Sequence, residues 1–194
     1  PHGLAYKNTE SHIFIVQTET GHEMELLRIM RFFMTDGLVE DVFLPKRQVQ
    51  KRLGGKWTKV TETLFKSYVF FRTSNPDELF LELKNVPRMS KLLHDYTYSF
   101  SALTPSEEDF LNRIKGKDEY MLGISTIEIL DPSEKEGVLV PYYEGQSIRI
   151  IDGPLRDMVG EIVGFDVHKR KAMIRTELFG GSVLHVGIDL LKDE

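Results

Sequence analysis

The sequence predicts an α+β N-terminal domain, a small antiparallel sheet flanked by about three helices, followed by a small all-β domain of the SH3-like kind. Three observations carry this. Over residues 1–115, strongly β-forming stretches alternate with apolar stripes of helical spacing. After about residue 142 the helical stripes stop, and four short β runs recur at intervals of roughly 10 to 12 residues. Between them, residues 116–141 follow neither period and are punctuated by Gly and Pro, so they read as a linker between domains spanning 1–115 and 142–194.

Each element has a local reason. Ser11 to Gln17, centred on Ile13, Phe14, Ile15 and Val16, has the β-branched and aromatic content of a buried strand. Thr20 and Glu23 stand at the spacing of a capping box. Leu26, Ile29, Met30 and Phe33 then form one helical stripe that ends before Asp36-Gly37. Val42 to Leu44 is a short apolar stretch before Pro45, and the basic run Lys46 to Lys66 is broken by Gly54-Gly55, a hairpin signal. Tyr68 to Phe71 is a second strand. Asn75-Pro76-Asp77-Glu78 opens a helix running to about Lys84, and Thr104-Pro105-Ser106-Glu107 repeats the device before Phe110, Leu111 and Ile114. Within 116–141, apolar patches at Tyr120–Leu122, Ile127–Leu130 and Val138–Val140 suggest partial order. The last four strands are expected at Ile148–Ile151, Gly160–Phe165, Lys171–Arg175 and Ser182–Val186, with turns at Asp152-Gly153-Pro154, Asp166–Arg170 and Phe179-Gly180-Gly181. Gly160 is expected to let its strand bend.

Composition narrows function by exclusion. The 194 residues contain no cysteine, which excludes disulfides, thiolate metal sites and cysteine nucleophiles and points to an intracellular address. No apolar run is long enough to span a membrane and no leader pattern opens the sequence, so no membrane partner is expected. Pro1-His2-Gly3 reads as a tag remnant. The six histidines (His2, His12, His22, His94, His168 and His185) lack metal-ligand spacing, so no metal and no cofactor is expected. Gly54-Gly55-Lys56 lacks the spacing of a phosphate loop, and Trp57 stands where a hydroxyl would be needed. An acid/base hydrolase could be built on Glu107, Glu108 or Asp109, but a favourable position of the pair Glu107-Glu108 in the first turn of a helix is explanation enough. These absences argue against an enzyme.

Charge is segregated. The formal net charge is −5, yet Lys46 to Lys66 holds seven bases (Lys46, Arg47, Lys51, Arg52, Lys56, Lys59, Lys66) and one acid, Glu62, a local +6 that leaves −11 on the rest. Lysine and arginine neutralise phosphates and Trp57 offers a stacking face, so this hairpin is the candidate nucleic-acid contact. A solvated loop kept soluble by charge is the plainer alternative.

Two segments resemble a known family. Glu62-Thr63-Leu64-Phe65-Lys66-Ser67-Tyr68-Val69-Phe70-Phe71 resembles the L-F-P-G-Y-V-F-V stretch in the N-terminal domain of the NusG family of transcription elongation factors. Gly145 to Leu155 with Gly160 to Val163 resembles the KOW motif, and Glu177 to Gly181 with Val186 to Asp189 is similar to the family's ending, I-F-G-R … V-x-L-D. The resemblance implies a bacterial, cytoplasmic, monomeric and non-catalytic elongation or antitermination factor. Its N-terminal domain would meet the clamp helices of RNA polymerase through Phe65 and Tyr68, with Phe14 and Val16 as weaker candidates. Its basic hairpin would touch a nascent RNA hairpin or non-template DNA. Its KOW domain would recruit a ribosomal protein or termination factor through Leu155, Leu178, Phe179 and Gly180.

Departures from the pattern are informative. Leu155 replaces the usual Phe, Gly181 the usual Arg, and Lys66-Ser67 the usual Pro-Gly. Such drift resembles the specialised paralogues of the LoaP and RfaH type, which promote read-through of terminators on selected operons. RfaH-type KOW domains can refold as a helical hairpin, whereas Ile148, Ile150, Ile151, Ile162, Val163, Val183 and Val186 favour strands here. The alternatives are a general NusG-like elongation factor and a KOW protein that binds RNA or the ribosome in translation.

Overall fold

The computed structural model describes residues 10–93 and 100–191, so Pro1-His2-Gly3 and His94 lie outside the described residues. The chain forms two compact units, Pro1–Leu44 with Phe65–Glu108, and Pro45–Leu64 with Asp109–Glu194.

The first unit is built on the strands β1 (His12–Gln17), β2 (Asp41–Phe43), β5 (Tyr68–Thr73) and β6 (Ser101–Ala102), in the order β2-β5-β1-β6. β1 and β5 run antiparallel with Val16 opposite Val69 and Phe14 opposite Phe71. Strand alternation puts these four on one face, where α1 (Glu23–Phe32) and α2 (Pro76–Lys84) contribute Leu26, Met30, Leu79 and Leu83 to a shared buried core. The stripe predicted for α1 is the buried stripe: Leu26 and Met30 are fully covered and Phe33 nearly so. Met89–Leu92 forms a single helical turn that the sequence pattern did not predict.

The expected caps are realised unevenly. At α4 (Pro105–Arg113) the box closes in both directions: Thr104 N–H donates to Glu107 Oε2 at 2.7 Å, and Glu107 N–H to Thr104 Oγ1 at 3.3 Å. At α1 it does not form. His22 occupies the cap, Thr20 Oγ1 bonds Ser67 Oγ, and Glu23 accepts N–H bonds from Gly21 (2.7 Å) and Ser67 (2.8 Å). At α2 the helix starts on Pro76 as expected, but the Asn75 side chain makes no capping bond.

The second unit holds two sheets. One is β4-β3-β7, from β3 (Lys46–Leu53), β4 (Lys56–Thr63) and β7 (Met121–Leu122). The other has the order β11-β12-β13-β8-β10-β9, from β8 (Ser125–Leu130), β9 (Leu139–Pro141), β10 (Ser147–Asp152), β11 (Ile162–Asp166), β12 (Lys171–Thr176) and β13 (Ser182–Leu190). The four predicted β runs are β10 to β13, in strand form. The linker expected over 116–141 is corrected: it holds β7, β8 and β9, and β8 lies inside the sheet between β13, to which it is parallel, and β10. Its burial explains this, since Ser125, Ile127 and Leu130 are covered and Glu128 forms an ion pair with Arg149 across the strands.

Two turn expectations also change. Asp152-Gly153-Pro154 does not join neighbouring strands; two 3-10 turns, Pro154–Asp157 and Val159–Glu161, separate β10 from β11, which do not pair. Gly153 is required for another reason. It has φ +94°, and a Cβ there would lie 2.5 Å from Ser125 Cα and 2.6 Å from the Ile124 carbonyl oxygen. Gly160 is in open space, and the irregular register falls between Ile162 and Gly164.

Candidate nucleic-acid interface

β3 and β4 form a hairpin in register from Lys46 opposite Thr63 to Leu53 opposite Lys56. Gly54 and Gly55, at φ +57° and +80°, make the two-residue turn whose twist suits the strands. Alternation assigns Gln50, Arg52, Trp57 and Lys59 to one face, with Arg52 opposite Trp57 and Gln50 opposite Lys59.

The seven bases are not equivalent. Glu62 Oε1 accepts from Arg47 Nε at 2.9 Å and Nη2 at 2.6 Å, and Glu62 Oε2 lies 2.9 Å from Lys51 Nζ. Burial alone would push the Glu62 carboxyl up, but Lys51 and Arg47 together hold it below the usual carboxylate range. Arg47 also donates from Nη1 to the His185 carbonyl at 3.3 Å, and Lys46 lies 3.3 Å from Glu119. Lys46, Arg47 and Lys51 are thus each paired with a carboxylate of the same unit. Among the described residues Arg52, Lys56 and Lys59 make no ion pair, and with Trp57 at 38% exposure they form the open end of the hairpin. Lys66 is exposed but belongs to the other unit.

The hairpin is seated on the six-stranded sheet. A Cβ at Gly187 in β13 would lie 2.5 Å from the Gln48 carbonyl oxygen and 2.9 Å from Val49 Cα, so only glycine admits β3 at this distance. Arg170, in the turn between β11 and β12, places its guanidinium 5.3 Å from the centre of the Trp57 ring. Sequence reasoning missed Gly187 and Arg170. The run Lys169-Arg170-Lys171 was the available signal for the latter.

The protein-binding candidates separate by face. Phe14 stacks on Phe71 at 5.8 Å and, with Val16, stands on the helix-covered face, where Val16 is core. Tyr68 shares the opposite face of β5 with Phe70, against whose ring Phe65 packs at 5.5 Å. Phe65 is 6% exposed, while Tyr68 is half-buried. Ser67 adopts φ +69°, the left-handed conformation that glycine takes most easily, and is pinned there by the Glu23 and Thr20 bonds. In the second unit Leu155 and Leu178 are fully buried and build the β core, a correction to their reading as exposed contacts. Phe179 is half-buried at φ +54°, and Gly180 is exposed.

Glu108 Oε1 accepts the Ile13 N–H at 2.9 Å, and Glu107 closes the α4 cap, so both carboxylates have structural work. Among the described residues no group of His, Asp and Glu is arranged to hold a metal, and no helix is long and apolar enough to cross a membrane.

The family model described as "Transcription termination factor nusG" matches residues 11–114, more than half of the chain. Similar proteins agree with it. The transcription termination/antitermination protein NusG of Pasteurella multocida is 22% identical over 177 residues, covering 89% of this chain and 88% of that protein. Its counterparts in Rickettsia felis (25% over 173 residues, covering 86% and 81%) and Streptococcus pyogenes serotype M1 (25% over 177 residues, covering 88% and 89%) are similar to the same extent. A solved structure described as "Domain interaction in Thermotoga maritima NusG" aligns at 21% identity with a TM-score of 0.46, covering 91% of this chain and 94% of that one. The chain belongs to the NusG family of transcription termination/antitermination factors, which are not enzymes.

Proposed function

We propose that this chain is an elongation and antitermination factor of the specialised LoaP/RfaH type. It binds RNA polymerase and sustains read-through of terminators on selected operons in the bacterial cytoplasm. Tyr68, backed by Phe65 on Phe70, is the contact for the clamp helices, an aromatic surface with little rotamer freedom to lose. Phe179 and Gly180 are what the KOW unit offers a ribosomal protein or termination factor.

The observation that carries this reading is the open end of the hairpin, where Arg52, Lys56 and Lys59 surround the chain's single tryptophan without acidic partners among the described residues. Polymerase binding would deliver that end to nascent RNA or exposed non-template DNA, and the acidic remainder limits contact elsewhere. The test is a terminator read-through assay on candidate leader sequences, with the wild-type chain, Tyr68→Ala, and Arg52→Glu combined with Lys59→Glu. Read-through lost in both variants is expected. Wild-type read-through by the hairpin variant, or association with ribosomes in place of clamp helices, overturns the proposal.

A further inference from the structure

The turn between β11 and β12 contains a cation that the turn itself does not require. Arg170 sits at φ +55°, a left-handed conformation that Gly or Asn would adopt more cheaply. The acid of the turn, Asp166, is taken by Lys169, through the backbone N–H at 3.0 Å and the ammonium at 3.4 Å. Among the described residues, Arg170 has no carboxylate partner, and its Nη1 is buried without an acceptor. What holds the guanidinium is the Trp57 ring.

The hairpin face beneath it is equally unsatisfied. Gln50 Oε1 is buried with no hydrogen-bond donor among the described residues. Gln50 shares that face with Arg52, Trp57 and Lys59. Burial first, then Lys171 and Arg47, hold the His185 imidazole below its ordinary pKa, with Asp166 opposing and Lys169 adding to the effect. Arg170, from a segment distant in sequence, therefore stands over the ring that Arg52 faces across the hairpin. A backbone phosphate matches the cations and a stacked base matches the ring.

We propose that the second unit binds single-stranded polynucleotide on a composite surface, made by Arg52, Trp57 and Lys59 of the hairpin together with Arg170 and Lys171 of the six-stranded sheet. The sheet is then half of the site, with Arg170 clamping Trp57 as a stacking platform. This rests on the reading of the hairpin as a nucleic-acid contact.

The full chain is titrated with single-stranded RNA and DNA oligonucleotides of one mixed sequence and with their duplex, across a range of salt. Trp57 is the only tryptophan, so its quenching reports stacking at this site directly. Quenching by at least one single strand is expected. Arg170→Gln should weaken binding about tenfold and lower the salt slope by about 0.7, the value for one single-strand phosphate contact. Arg170→Lys should restore the slope but not the full quench. Lys171→Gln should likewise lower the slope, which keeps the test open if Arg170→Gln fails to fold. Wild-type affinity and slope in Arg170→Gln and Lys171→Gln, with binding lost in Arg52→Glu/Lys59→Glu, overturns the composite surface and leaves the hairpin reading standing. Unchanged binding in all three overturns both. Binding of the duplex alone, without quenching, overturns the single-strand assignment.

Discussion

Adding one methyl group at Gly187 is expected to displace the basic hairpin from its seat. The new Cβ would lie 2.5 Å from the Gln48 carbonyl oxygen and 2.9 Å from Val49 Cα, and both are backbone atoms in the middle of β3. Carbon atoms normally meet at about 3.5–4.0 Å, so the strands must separate by about 1 Å, and no side-chain rotation relieves the clash. Overpacking of this kind costs about 1–3 kcal/mol. Loosening β3 also uncovers Val49, now 5% exposed, so the upper part of that range is expected, about 2–3 kcal/mol. At about 2–4 °C per kcal/mol for a chain of this size, Tm falls by about 4–12 °C. Urea and thermal unfolding followed by both Trp57 emission and far-UV circular dichroism provide the assay. Because Arg170 covers the indole, native-state emission of Gly187→Ala should also shift. Gly160→Ala is the control, since nothing lies within 4 Å of its Cβ position, and it should stay within about 0.5 kcal/mol. If Gly187→Ala matches that control in midpoint and emission, the close seating of the hairpin is wrong.

Two further outcomes test the first unit. Burial works to raise the Glu23 pKa, but the N–H bonds from Ser67, its own backbone and Gly21 outweigh it, and His22 adds to them, so the net shift is downward. A depressed carboxylate contributes stability that is complete above its unfolded value of 4.5 and is lost as pH falls through the folded value. Urea midpoints should therefore fall on acidification in that window, and less steeply in Glu23→Gln; identical slopes would refute the linkage. Thr104→Ala removes the reciprocal cap of α4 and should cost about 1 kcal/mol by urea unfolding.

What the sequence made legible follows the range of the interactions. The hairpin was readable because Gly54-Gly55 fixes its own turn, and α4 because both members of its cap lie within four residues. β8 was not. Its partners are β10 and the far later β13, and nothing in Ser125-Thr126-Ile127-Glu128-Ile129-Leu130 announces a parallel neighbour some 60 residues away. Glycine and proline on either side outweighed the buried alternation within it. The candidate contacts divide in the same way. Type and spacing identified a cationic hairpin, but only the fold separates Arg47 and Lys51, spent on Glu62, from Arg52 and Lys59. Leu155 and Leu178 matched positions in a motif, yet the small β unit needs them inside. Arg170 meets Trp57 through tertiary structure alone, which no local pattern encodes.

The parallel pairing of β13 with β8 sets an order of assembly. The hairpin can close as soon as its own residues have left the ribosome, being joined by two glycines. The six-stranded sheet cannot, because β13 lies between β12 and β8, and the halves β11-β12 and β8-β10-β9 join only once Ser182–Leu190 has been synthesised. Gly187, the seat of the hairpin, arrives on that same strand. A nascent chain lacking β13 would thus carry the cationic hairpin without the surface that holds it, so stable seating of the hairpin is itself a signature that Ser182–Leu190 has been made and docked.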